Sequence, residues 1–161
     1  MPNVITNTSA IQYLYQTQLL DLLPTLYDRV TIPQAVADEL SEGRKLGVSL
    51  PNISDLPWVN FATPHNLSVL PEFPSLGLGE REVIALAMET PDALVVLDDN
   101  LARKVAKQIG IQLTGTLGIL LKAKQMGDLQ TVRPVVDRLE ELGFRVSTSM
   151  RSRILNFPGE Q

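Results

Sequence analysis

At 161 residues, 44% hydrophobic and 20% charged, the chain fits one domain spanning residues 1–161 that buries about 68–70% of its unfolded surface, which excludes a disordered or collagen-like polypeptide. It holds no cysteine, excluding disulfides, Cys–zinc sites, thiol catalysis and iron–sulfur clusters, and a single histidine, His65, which cannot alone assemble the usual kind of zinc site. The net charge of −4 divides into 4 basic and 13 acidic side chains over residues 1–99 (−9) and 10 basic and 5 acidic over 100–161 (+5), either a cation-binding half beside a phosphate-binding half or a solvated surface with chance clustering.

Val4-Ile5-Thr6 reads as a buried first strand, and Asn7-Thr8-Ser9 offers N-cap chemistry for a helix over Ala10 to Tyr15. Leu19, Leu20, Leu22 and Leu23 form a helical apolar patch closed by Pro24, rich enough to suit the core, a second copy or a partner protein. Arg29 to Ile32 is the next strand, and Pro33 begins a helix through Leu40. Residues 41–57, with Gly43, Gly47, Pro51 and Pro57, suggest a connection with little regular structure. Trp58 to Phe61 alternates like a strand, and Pro64 to Pro74 reads as loop. Gly77-Leu78-Gly79 launches a helix from Glu80 to Glu89 that is apolar all round at its middle, hence buried on most sides. Ala93 to Leu97 is a continuous apolar strand ending at Asp98-Asp99. A helix over Ala102 to Gln108 stops at Gly110, and Ile111 to Thr114 is another strand. Thr116 is placed to cap a helix through Lys124; a last helix runs from about Val132 to Leu142, with a short segment near Arg151 to Leu155. This alternation predicts an α/β fold with a mostly parallel central sheet between helix layers. No apolar run approaches the roughly 18 residues of a membrane span, and the start lacks the order of a signal peptide, so a cytoplasmic chain is expected.

Ligands of open parallel sheets sit beyond the carboxyl ends of the strands. Asn7 follows the first strand there, Asp98 and Asp99 follow the strand 93–97, and Thr114 ends the last, while Glu39 and Glu80 lie on adjoining helices. Carboxylates without His or Cys are the ligand set of a hard cation such as Mg²⁺ or Mn²⁺. Each has an ordinary alternative. Asn7, Asp98 and Asp99 suit helix caps, and Glu80 suits the positive end of a helix dipole. Glu39 is more informative: at about 100° per residue it lies about 40° from Ala35 and 60° from Val36, on the flank of an apolar face, where an unpartnered carboxylate is costly. His65 reads as a loop residue and Trp58 as packing.

Five ordered motifs carry a resemblance: Val4-Ile5-Thr6-Asn7-Thr8-Ser9, the run Ile32 to Leu40, the run Leu78 to Ala87, Val95-Val96-Leu97-Asp98-Asp99-Asn100-Leu101-Ala102-Arg103, and Gly115 to Lys124. From about residue 4 to 155 the chain resembles a PIN-like family, in the domain-of-unknown-function branch related to VapC-type toxins. The resemblance implies a three-layer α/β/α fold and a ribonuclease that cleaves single-stranded RNA with Mg²⁺ or Mn²⁺. It places Glu39, Glu80 and Asp98, with Asp99 as a neighbouring candidate, around the metal. The first acidic position of active members is here Asn7, whose amide oxygen can ligate a cation but brings no charge and is a poor proton acceptor. Either the site is a nuclease with Asn7 as an uncharged ligand or orienting group, or the fold binds RNA or protein with catalysis reduced. Thr114 and Thr116 are candidates to hydrogen-bond metal-bound water or a carboxylate, with Thr116 equally a helix cap, and Arg103, Lys104, Lys122 and Lys124 to hold the RNA backbone. The expected partners are single-stranded RNA, an antitoxin protein and a second copy in a homodimer, with no membrane.

Overall fold

Short runs rich in β-branched residues and set between polar ends, as in Val4-Ile5-Thr6, Val30-Thr31-Ile32 and Leu94-Val95-Val96, form the largely buried centre of a parallel sheet. In the computed structural model, which describes residues 2–67 and 76–160, the order is β1 (Asn3–Thr6), α1 (Thr8–Gln16), α2 (Leu22–Tyr27), β2 (Val30–Pro33), α3 (Gln34–Lys45), a 3₁₀ turn (Ile53–Asp55) and β3 (Val59–Ala62). Then follow α4 (Leu78–Met88), β4 (Ala93–Val96), α5 (Asn100–Ile109), β5 (Gln112–Thr114), α6 (Thr116–Gln125), α7 (Arg133–Glu141) and α8 (Thr148–Leu155). The loop expected from Pro64 to Pro74 lies outside the described residues from position 68 onward.

The five strands stand in the order β3-β2-β1-β4-β5, and every pairing is parallel. The chain winds outward from β1 through β2 to β3, then crosses back to lay β4 on the other side of β1. The crevice between the ends of β1 and β4 is therefore the topological switch point, where an open α/β sheet binds its ligands. Helices flank the sheet: α4 lies across β1, β2 and β4 and meets α5, while α1 and α2 meet α6. As its composition requires, α4 is buried along Val83–Ala87. No helix among the described residues is long and apolar enough to cross a membrane.

Four expectations are corrected. Pro24 does not close a helix but sits in the first turn of α2, where a missing N–H breaks no intrahelical bond. Helix α3 continues past Leu40 to Lys45, and its Gly43 leaves room for Leu50, whose Cδ1 would lie 2.6 Å from an added Cβ. Thr116 is not the cap of α6; Gly115 holds that position, and the Thr116 side chain turns elsewhere. Leu20, Leu22 and Leu23 are buried in the core and Leu19 packs against it, so this patch offers little to a second copy.

Candidate active site

At the switch point the backbone itself joins the strand ends, since Asn7 N–H donates to Val96 C=O at 3.2 Å and Leu97 N–H to Thr114 C=O at 2.9 Å. Helices α1, α4, α5 and α6 all begin near this edge, and their free N–H groups favour negative charge. Asp98 is held most firmly. Its Oδ1 accepts Thr116 N–H at 2.8 Å, and its Oδ2 accepts the hydroxyls of Thr116 and Ser9, both at 2.7 Å. Gly115 makes that seat possible, because a Cβ there would stand 2.8 Å from Asp98 Oδ1. Asp99 caps α5, accepting Ala102 N–H at 2.9 Å.

Asn7 caps α1 more loosely. Its Oδ1 lies 3.4 Å from Ala10 N and 3.3 Å from Ser9 Oγ, and the single Ser9 proton goes to the closer Asp98. A buried amide oxygen so weakly engaged keeps lone-pair capacity for a further partner. Glu39, on the flank of α3, accepts the Thr8 hydroxyl at 2.6 Å and rests on Gly79, where a Cβ would meet its Oε1 at 2.2 Å. Glu80, in the first turn of α4, folds over Gly77, where a Cβ would meet its Oε2 at 2.7 Å. Burial raises the Glu80 carboxyl above its ordinary value, and the nearby Glu39 and Asp99 charges add to this against one lowering hydrogen bond from its own backbone.

Asn7, Glu39, Glu80, Asp98 and Asp99 line one pocket of about 420 Å³. None of the four carboxylates joins an ion pair among the described residues. The side chains are spaced as separately hydrogen-bonded groups: no cluster of three or more acids or histidines among the described residues stands ready as a cage. The donor chemistry is nonetheless that of a hard divalent cation, with carboxylate, amide and hydroxyl oxygens around uncompensated negative charge. Glu39, Glu80 and Asp98 would hold it, with Asn7 and Asp99 beside them.

The other candidates lie outside this lining. Arg103 donates to Leu97 C=O at 2.8 Å, bracing the strand end under Asp98, and Lys104 is exposed on α5. Lys122 lies 4.5 Å over the Tyr27 ring, and Lys124 pairs with the buried Glu160. The Thr114 hydroxyl faces Gly118, His65 bonds Glu89 at 3.0 Å, and Trp58 packs on the core. Residues the sequence reading passed over also matter. Arg145 and Phe144 line the pocket, and the buried Glu82 accepts Ala35 N–H at 3.0 Å, satisfying the start of the helix that carries Glu39. The glycine after a predicted helix end marks a turn before the first two, but no local pattern sets that turn on the pocket.

Comparison with known proteins agrees with this fold. A family model described as PIN domain matches residues 3–160. Among solved structures, a PilT N-terminus domain protein from the hyperthermophilic archaeon Sulfolobus solfataricus P2 has a TM-score of 0.55 and 20% sequence identity, over 74% of this chain and 92% of that chain. At that identity the likeness shows the fold alone. No curated protein matches.

Proposed function

Since this chain belongs to the PIN domain family, in general a nuclease fold that depends on a divalent cation, we propose that it is a metal-dependent endoribonuclease cleaving single-stranded RNA. The observation that carries the reading is the meeting of Asn7, Glu39, Glu80 and Asp98 in one pocket at the switch point of the sheet. Mg²⁺ or Mn²⁺ bound there supplies charge stabilisation on the phosphate and acidification of water. The chain's own groups do the rest. Thr116 and Ser9 fix both oxygens of Asp98, so its carboxylate keeps one orientation, and Thr8 does the same for one oxygen of Glu39. Glu80, with its raised affinity for a proton and Glu39 and Asp99 nearby, is the carboxylate most relieved by a cation.

In this reading the protein is a toxin of a toxin–antitoxin pair, with a separate antitoxin as its protein partner and a homodimer as its working form. The buried leucines of α2 exclude themselves as the dimer face; the edge strand β3, where Phe61 is 56% exposed, is the better surface. A second reading, a PIN fold that binds RNA with reduced cleavage, is favoured by Asn7, which brings no charge where active members carry Asp.

One experiment separates the two. The purified chain is incubated with single-stranded RNA and Mn²⁺, with EDTA as control. Metal-dependent cleavage that falls at least about a hundredfold in Glu80→Gln supports the nuclease, removal of a general acid–base or charge-stabilising group being worth that much. Asn7→Asp should then raise both Mn²⁺ affinity and cleavage. RNA binding without cleavage, with cleavage appearing only in Asn7→Asp, establishes the binding module.

A further inference from the structure

Beside its carboxylates the pocket is lined by groups of a different chemistry, drawn from α1 and from the connection after α7. Helix α7 ends at Glu141 with Leu142 as its C-cap, and Gly143 takes φ +99°, a conformation that glycine adopts without the strain of a Cβ. That turn lets Phe144 N–H close on Leu139 C=O at 2.9 Å, and Phe144 meets Tyr13 of α1 edge-to-face, with ring centroids 5.1 Å apart at 87°. Both rings are half-buried and both line the pocket. Arg145 follows, exposed and lining the same pocket, yet it forms no ion pair and no side-chain hydrogen bond among the described residues. An arginine beside four carboxylates that pairs with none of them is a cation free for an anion from outside. Its planar fork matches a phosphate, and aromatic rings accept the face or edge of any base.

We propose that Arg145, Tyr13 and Phe144 form a nucleotide subsite of this pocket, in which Arg145 holds a phosphate of single-stranded RNA next to the one at the carboxylates and the aromatic pair receives a base. The proposal rests on the nuclease reading and extends it: the pocket reads at least one nucleotide beyond the scissile bond. Its volume, about 420 Å³, lies in the range of small-ligand sites. The subsite depends on the turn at Gly143, which sets an aromatic and a cation side by side on the pocket wall.

The test measures anisotropy of a fluorescein-labelled oligouridylate with the Glu80→Gln protein, in which cleavage is slowed, in Mn²⁺ and again in EDTA over a salt series. Arg145→Ala is expected to weaken binding about tenfold and to flatten the log–log salt dependence by about 0.7, the share of one phosphate contact on a single strand. Arg145→Lys should keep the salt slope with part of the affinity. Phe144→Leu, which keeps apolar bulk, should lose affinity several-fold with the slope unchanged. Lys107→Ala, the same charge change in the last turn of α5, should leave both alone; melting temperatures should match for the Arg145 and Lys107 variants and fall by a few degrees for Phe144→Leu, which loses the ring pair with Tyr13. Parental affinity and slope after Arg145→Ala overturn the subsite and leave the nuclease reading standing. No binding by the Glu80→Gln protein also overturns the subsite, and cleavage by the unaltered chain then decides the nuclease reading separately.

Discussion

Gly79 makes one carboxylate of this site possible, and it does so by what it lacks. The Glu39 oxygen occupies the space a Cβ would take, at 2.2 Å, and that oxygen is the mobile end of a long side chain rather than backbone. Gly79→Ala is therefore expected to push the Glu39 carboxylate aside at a net cost to folding within about 1 kcal/mol, the lost Thr8 hydrogen bond being offset in part by helix propensity. Metal affinity should fall nonetheless. Calorimetric Mn²⁺ titration together with a thermal melt checks both halves, and unchanged Mn²⁺ affinity would remove Glu39 from the ligand set. Residues of this kind divide into those a reader of the sequence can find and those that stay hidden. Asn7, Glu39, Glu80 and Asp98 were legible because strand ends and helix flanks are positions that a linear pattern defines. Arg145 was not, because its place on the pocket depends on a helix end and a left-handed turn bringing distant residues 13 and 144 together. Lys122 and Lys124 show the converse. Charge alone recommended them for RNA, whereas one lies on the Tyr27 ring and the other on Glu160.

Among the elements, strands and buried helices followed directly from their patterns, while helix ends did not. The start of α3 is satisfied by Glu82, 47 positions further along the chain, and the start of α7 by Glu160 near the other end of the sequence. Long-range caps of this kind leave no local signature, whereas α3 runs past Leu40 with Gly43 making room for Leu50, and Thr116 is drawn from a capping role to Asp98. Glu160 accepts Val132 N–H at 2.9 Å and Arg133 N–H at 2.7 Å and pairs with Lys124, whose side chain is 10% exposed. Burial raises its carboxyl, but the hydrogen bonds from Lys124, Val132 and Arg133 outweigh this and hold it below the usual range. A depressed folded value means the contribution is present above the unfolded value and lost as pH falls through the folded one. Glu160→Ala leaves a buried ammonium without its counter-charge and should cost about 3 kcal/mol at pH 7. Urea unfolding checks this, with the gap between variant and parent expected to narrow at about pH 3, near and below ordinary carboxyl values. A gap independent of pH would mean that Glu160 acts by packing alone.

Across the whole molecule the parallel sheet gathers negative charge at one place, between the ends of β1 and β4, and the fold tolerates this because the helix starts and hydroxyls there accept it. That tolerance is incomplete at Glu80. Its folded carboxyl holds a proton more tightly than the unfolded chain does, through burial first and then through Glu39 and Asp99. A raised folded value contributes stability that is full below the unfolded value and is lost as pH rises through the folded one, so at neutral pH the metal-free protein carries an ionised Glu80 at a cost to folding. Glutamine keeps the shape and an acceptor oxygen without the charge. Glu80→Gln should therefore melt higher than the parent at pH 7 in EDTA, and the two should converge as pH falls to about 4, where an ordinary glutamate also gains its proton. Mn²⁺ should reverse the ranking at pH 7, because a ligand bound to the folded state alone stabilises it by mass action, and the parent binds the cation more strongly. Melts of both proteins at both pH values, with and without Mn²⁺, give the answer. A parent that already melts higher at pH 7 in EDTA would show that a group of the chain neutralises Glu80, and the pocket would then have no unmet need for a cation.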